Sequence, residues 1–130
     1  MNITIPVSVG ELIDKITILE IKNSRIKNEE KIINVRNELK ILRNILLENN
    51  FHENIENYYQ CLYTVNLEIW ELEEDIRKFS ENLLYDNELI EFSRIAKKIR
   101  EKNDQRSVIK KEINLKFYSS IVEEKSHNYN

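Results

Sequence analysis

The chain has 130 residues, the size of one domain, and 33 % of them are charged. A single glycine and a single proline favour long helices with short connections over sheets or glycine-rich loops. The net charge of −3 gives no support for a basic face that binds duplex nucleic acid, and the lone Cys61 excludes an intramolecular disulfide, the usage of a reducing compartment.

Ile3, Ile5 and Val7 alternate with polar residues, which predicts a short strand or an extended arm that Pro6 confines to an edge. Ser8 and Glu11 then form an S-x-x-E capping box, with Val7 and Leu12 placed for the hydrophobic staple. Gly10 falls in the first turn, where its cost to a helix is small. Helix one is predicted over 9–48. Leu12, Ile16, Leu19 and Ile26 follow a 4-3 spacing, and Ile32, Val35, Leu39, Leu42 and Leu46 resume it in a shifted phase. The slip, at 27–31, reads as a stutter in one continuous helix roughly 60 Å long.

Residues 49–54 read as an asparagine-rich loop. Helix two is predicted over 55–84. Ile55, Tyr58, Leu62, Val65, Ile69, Leu72, Ile76, Phe79 and Leu83 make an uninterrupted 3-4 seam, and Cys61 reads as a small apolar residue beside Leu62. Asp86 is the expected N-cap of helix three, predicted over 87–118. Its seam carries Ile95, Ile99, Ile109, Ile113 and Phe117, but Lys102 and Arg106 fall on it between Ile99 and Ile109. Residues 119–130 form a tail, with His127 to Asn130 expected to fray. The expected fold is therefore all-α: one domain over 1–130, an antiparallel bundle of three long helices with an extended arm at 1–7. Helices of this length need partners on both faces, so a homo-oligomer, dimer or larger, is expected.

Polar residues gather in three places. Glu11, Asp14, Lys15, Lys22 and Arg25 make the first, where Lys22 and Arg25 are candidates to grip an anion. Asn66, Trp70, Glu73 and Arg77 share a face and make the second. Trp70 offers a flat ring for stacking, while Asn66 and Arg77 offer donors. The third contains Asn103, Arg106, Ser107, Lys110 and Asn114. Each also has an ordinary reading: ion pairs on a solvated face, a tryptophan covering the flank of a bundle, and a buried arginine that sets register. The third is the hardest to dismiss, because polar groups inside a packed seam cost stability unless partnered.

Signs of catalysis are sparse. One glycine cannot build a phosphate loop. His52 and His127 make no metal-ligand spacing with Cys61. No catalytic residue, metal or other cofactor is expected. The first residues do not read as a charged-then-apolar signal segment and no apolar run is long enough to span a bilayer, so no membrane partner is expected and a cytoplasmic location is.

Three strings carry a resemblance: Val7-Ser8-x-Gly10-Glu11-x-x-Asp14-Lys15-x-Thr17-Ile18-Leu19, then Val65-Asn66-Leu67-x-Ile69-Trp70-x-Leu72-Glu73, then Asn103-Asp104-x-Arg106 through Ile109-Lys110, Asn114 and Glu123-Glu124-Lys125. The set resembles a family of small proteins of bacteria and their viruses without an assigned reaction. The resemblance implies that the three clusters belong together as one unit; it transfers no catalytic residue.

The chain is also similar, in size, helicity and oligomer-prone seam alone, to viral sponge proteins that sequester nucleotide-derived immune signals without cleaving them. On that reading the partner is an anionic, nucleotide-derived small molecule. Lys22, Arg25, Arg77, Arg106 and Lys110 bind its phosphates, Trp70 stacks a base, and Asn66, Asn103 and Asn114 read ring edges or ribose hydroxyls. Arg106→Ala is then expected to abolish binding without unfolding the protein. One alternative is a helical interaction module docking on a larger enzyme, such as a surface-glycan glycosyltransferase. A second is an enzyme, since Glu11 to Arg25 is similar to the first helix of helical chorismate mutases, although the later strings do not match that family.

Overall fold

The computed structural model describes residues 1–49, 51, 55–79, 86–119 and 122–126. They form four helices: α1 (Val9–Arg25), α2 (Glu29–Glu48), α3 (Glu56–Ile76) and α4 (Asp86–Lys116), with no strand among the described residues. The all-α expectation holds, but the helix predicted over 9–48 is two helices. Ile26 leaves helical geometry at φ −78°, ψ 131°, and its N–H closes α1 on the Lys22 carbonyl. Asn28 then caps α2, its Oδ1 accepting from the Lys31 N–H at 3.0 Å. The phase slip at 27–31 therefore marks a corner. An asparagine offering its own side chain to the backbone wins over continued helix there.

The corner folds α2 back along α1. Arg36 Nε donates to Asn23 Oδ1 at 3.0 Å and Arg43 pairs with Glu20, so residue numbers run in opposite directions. Between these two helices Leu12, Ile16 and Leu19 bury against Val35 and Leu39, with Ile26 and Leu42 packed at the edges. A second cluster joins Ile13 to Leu62 of α3 and Ile113 of α4. α1 thus buries two flanks and pairs with each of the other three helices, whereas α2 lies chiefly against α1, with Leu46 reaching the second cluster. Each fully buried Leu or Ile contributes about 1.5–3 kcal/mol.

The predicted seam of α3 is buried at Leu62 and Val65, with Ile69, Leu72 and Ile76 half-buried. Cys61 is exposed, not packed as an apolar side chain. Tyr58 and Phe51 meet Phe117 edge-on at 6.2 and 5.2 Å between ring centroids, and Phe79 meets Phe92 at 5.9 Å. These contacts set α4 antiparallel to α3. Helix two was expected to reach 84; α3 ends at Ile76, and the stretch containing Leu83 lies outside the described residues. Asp86, expected as a cap, is the first residue of α4 itself. Residues 1–7 are exposed and carry no regular secondary structure, so the alternating stretch forms no strand.

α4 ends in a Schellman turn. Tyr118 takes a left-handed φ of 53°, the Tyr118 N–H reaches the Leu115 carbonyl at 3.5 Å and the Ser119 N–H reaches the Asn114 carbonyl at 2.9 Å. The turn sends part of the expected tail back against the start of α1. His127 to Asn130 lie outside the described residues.

Candidate functional site

The flank of α1 that faces α3 and α4 carries Gly10, Asp14 and Thr17, all buried; Asp14 and Thr17 are fully so. A carboxylate in such a place is tolerable only if paired and hydrogen-bonded. Arg106 of α4 meets it through two bonds, Nε to Oδ1 at 2.9 Å and Nη2 to Oδ2 at 2.5 Å. Asn66 of α3 donates from Nδ2 to Asp14 Oδ1 and to Thr17 Oγ1, both at 2.9 Å. The Thr17 hydroxyl in turn donates to the Asp14 carbonyl at 2.7 Å. The hydrogen bond to Asp14 holds the pKa of Arg106 above its ordinary value, against the opposing effect of burial. Among the described residues no buried side-chain nitrogen or oxygen lacks a partner. Three helices are joined by one carboxylate.

Above this bridge, toward the start of α1, lies a second network. Lys110 Nζ is 2.6 Å from Glu11 Oε2 and 3.9 Å from Asp14 Oδ2. Asn114, 1 % exposed, accepts the Gly10 N–H on Oδ1 at 2.7 Å and donates from Nδ2 to Glu123 Oε2 at 2.6 Å. Ser8 donates to the other oxygen of Glu123 and accepts the Glu11 N–H at 3.1 Å. Ser119 Oγ accepts the Val9 N–H at 3.1 Å. The free N–H groups of the first turn of α1 are therefore taken by Ser119, by Asn114 of α4 and by the Ser8 cap. Only half of the predicted capping box forms, because Glu11 is drawn to Lys110 and Lys15.

Below the bridge a cleft of about 220 Å³ opens between α1, α3 and α4. Ile18, Ile21 and Ile69 make its apolar wall, with Asn66, Trp70 and Arg106 beside them and Glu73 and Arg77 completing the lining. Trp70 Nε1 donates to Glu74 Oε1 at 2.5 Å. Arg77, with 72 % of its side chain exposed, is 3.4 Å from Glu73. Such an exposed pair one turn apart is worth a few tenths of a kcal/mol and yields readily. Arg106 is held on one edge only: Nη1 makes no hydrogen bond among the described residues.

Of the nine residues singled out from sequence, Asn66, Trp70, Arg77 and Arg106 meet in this cleft. Lys22 and Arg25 do not line it; Arg25 pairs with Glu71 at 3.1 Å. Asn103 donates to the Ile99 carbonyl within α4, and Lys110 and Asn114 belong to the upper network. Sequence reasoning passed over Asp14 as a central residue, and Gly10, Thr17, Ser8 and Glu123 as members. A signal was present: Asp14 and Thr17 stand one turn apart within a stripe of isoleucines, a charge on an apolar flank. Among the described residues no group of three or more His, Cys, Asp or Glu is able to hold a metal ion, and no helix is long and apolar enough to cross a membrane.

Fold and site together define an all-α chain whose helices are bridged by a buried Asp–Arg–Asn–Thr network beside a small, ring-sized cleft. The chain belongs to the family described as a family of unknown function (DUF6165), matched over residues 2–130. No curated protein and no solved structure matches it.

Proposed function

We propose that this protein binds a small phosphorylated, nucleotide-derived ligand in the cleft between α1, α3 and α4 and holds it without transforming it, as a sponge for a signal in the cytoplasm of a bacterium or a virus-infected bacterium. One observation carries the reading. Asp14 fixes Arg106 from behind by two bonds while its remaining N–H donors stay free at a cleft that also contains an indole. A pre-oriented guanidinium loses little freedom on binding an acceptor. Trp70 supplies a stacking surface, and Arg77 turns from Glu73 to a phosphate at small cost. At about 220 Å³ the cleft is smaller than the roughly 300–1,000 Å³ of sites that enclose drug-sized ligands. It takes one ring, and the phosphorylated remainder lies outward along Arg77.

Homo-oligomer formation belongs to the same proposal. α2 packs chiefly on α1 and leaves Ile33, Ile41, Ile45 and Leu47 exposed.

Native mass spectrometry and calorimetry with a panel of linear and cyclic nucleotides and nucleotide sugars test both points. The expected result is an intact ligand at fixed stoichiometry on a defined oligomer. Arg77→Ala is expected to weaken binding about tenfold or more at unchanged thermal stability, and Trp70→Ala to weaken it further. Arg106→Ala is unsuitable for this purpose, since it strands Asp14 in the interior. The absence of any bound nucleotide, or product masses in place of the ligand, overturns the reading.

A further inference from the structure

The bridge determines which atom Asn66 shows to the cleft. Both oxygens of Asp14 accept from Arg106, so Asp14 has only acceptors to offer Asn66. The Thr17 hydroxyl hydrogen is committed to the Asp14 carbonyl, so Thr17 Oγ1 also accepts. The Asn66 amide is therefore forced into one orientation, with both Nδ2 hydrogens consumed, at 2.9 Å each. Its carbonyl oxygen receives no donor among the described residues. Asn66 is 5 % exposed and lines the cleft, and among the described residues no buried side-chain oxygen is without a partner, so Oδ1 retains some accessibility on a residue that lines the cleft. Arg106 is bound to the same Asp14 oxygen and lines the same cleft with unused donors. The cleft thus presents an amide acceptor on Asn66 and unused donors on Arg106.

Resting on the ligand reading above, we propose that Asn66 and Arg106 together select a heterocyclic base by an edge that carries an N–H donor beside a hydrogen-bond acceptor. The N–H donates to Asn66 Oδ1 and the neighbouring ring acceptor takes an N–H of Arg106, while the ring lies along Trp70. Sites that hydrogen-bond a buried edge discriminate strongly against analogues that lack it, because their own polar groups are left unpaired. Asp14 and Thr17 act here as positioning residues, since they touch the ligand only through Asn66 and Arg106.

The test is calorimetry on the intact protein with matched pairs of nucleotides. AMP is compared with purine riboside 5′-monophosphate, and CMP with pyrimidin-2-one riboside 5′-monophosphate. In both analogues the exocyclic amine is replaced by hydrogen, so the donor is deleted without added bulk. UMP is compared with its imide-N-methyl derivative. For whichever parent binds, the donor-deleted partner is expected to bind about 10- to 100-fold more weakly. In Asn66→Ala that gap is expected to close. Equal affinity within a pair on the native protein overturns the base-edge inference and leaves the cleft-binding reading standing. No binding by any member of the three pairs overturns the inference, whereas the wider nucleotide panel decides the reading beneath it.

Discussion

Arg106 lies 92 residues from Asp14 in sequence, yet its Nε and Nη2 close on the two oxygens of that carboxylate at 2.9 and 2.5 Å. The pair clamps α4 to α1, and Asn66 adds α3 to the same oxygen. Removing one partner of such a pair costs more than the pair contributes, because the other is left buried and unmatched. Asp14→Ala is expected to destabilise the fold by about 3 kcal/mol, the lower end of the roughly 3–5 kcal/mol for buried pairs, since the Arg106 side chain remains 30 % exposed. Urea unfolding measures it. A loss under about 1 kcal/mol, the range of an exposed pair, means the bridge is superficial.

At Gly10 the backbone of α1 lies close against α4. A Cβ there would stand 2.6 Å from the Lys110 carbonyl oxygen and 2.8 Å from Asn114 Oδ1. The first is backbone and cannot swing aside. Helix propensity favours Gly10→Ala by less than the about 1 kcal/mol of a helix interior; the crowding opposes it with a typical overpacking cost of about 1–3 kcal/mol. We expect net destabilisation with loss of the Gly10 to Asn114 hydrogen bond. A more stable Ala variant with that amide still protected from exchange refutes the close contact.

Much of this architecture is legible in the chain, and the failures have physical causes. The apolar spacing in Leu12 to Leu19 and Val35 to Leu46 fixes helical type and the packing flank of α1 and α2. It does not reveal that Asn28 turns the chain, because a phase slip is compatible with a stutter or a corner and only the side-chain cap decides. Arg106 stands out as polar within a seam, but its partner Asp14 is a long-range contact that periodicity cannot name. Lys110 and Asn114 look like ligand-gripping groups by type; their partners Glu11, Gly10 and Glu123 come from α1 and the returning segment. Gly10 reads as a harmless first-turn residue until α4 is laid against it.

Tyr118 holds a left-handed φ of 53° with 91 % of its surface exposed. An L-residue pays roughly 1–2 kcal/mol for this geometry, and glycine does not. The Schellman turn depends on it, while the ring contributes little burial. Tyr118→Gly is expected to raise stability by about 0.5–1 kcal/mol after the greater freedom of an unfolded glycine is allowed for. Destabilisation on thermal or chemical unfolding shows that the turn is held by the tyrosine ring instead.

Glu123 makes the fold's link between its returning segment and α1 sensitive to acid. Burial acts to raise its pKa. Hydrogen bonds from Ser8, its own backbone N–H and Asn114, with the charge of Lys110, outweigh that and leave the carboxyl below its ordinary value. A carboxyl lowered in the folded state contributes stability that is fully present above its unfolded pKa, about 4.3, and is lost as pH falls through the folded value. Wild type is therefore expected to exceed Glu123→Gln in stability at neutral pH, with the difference shrinking from about pH 4.3 downward and closing once the carboxyl is protonated. Parallel urea titrations of the two proteins across that window measure it. Exchange of the Val9 amide, bound to Ser119 Oγ at 3.1 Å, is expected to quicken relative to its intrinsic rate over the same range in wild type. A stability difference that stays constant with pH excludes Glu123 as the titrating link and moves the acid sensitivity to another carboxylate.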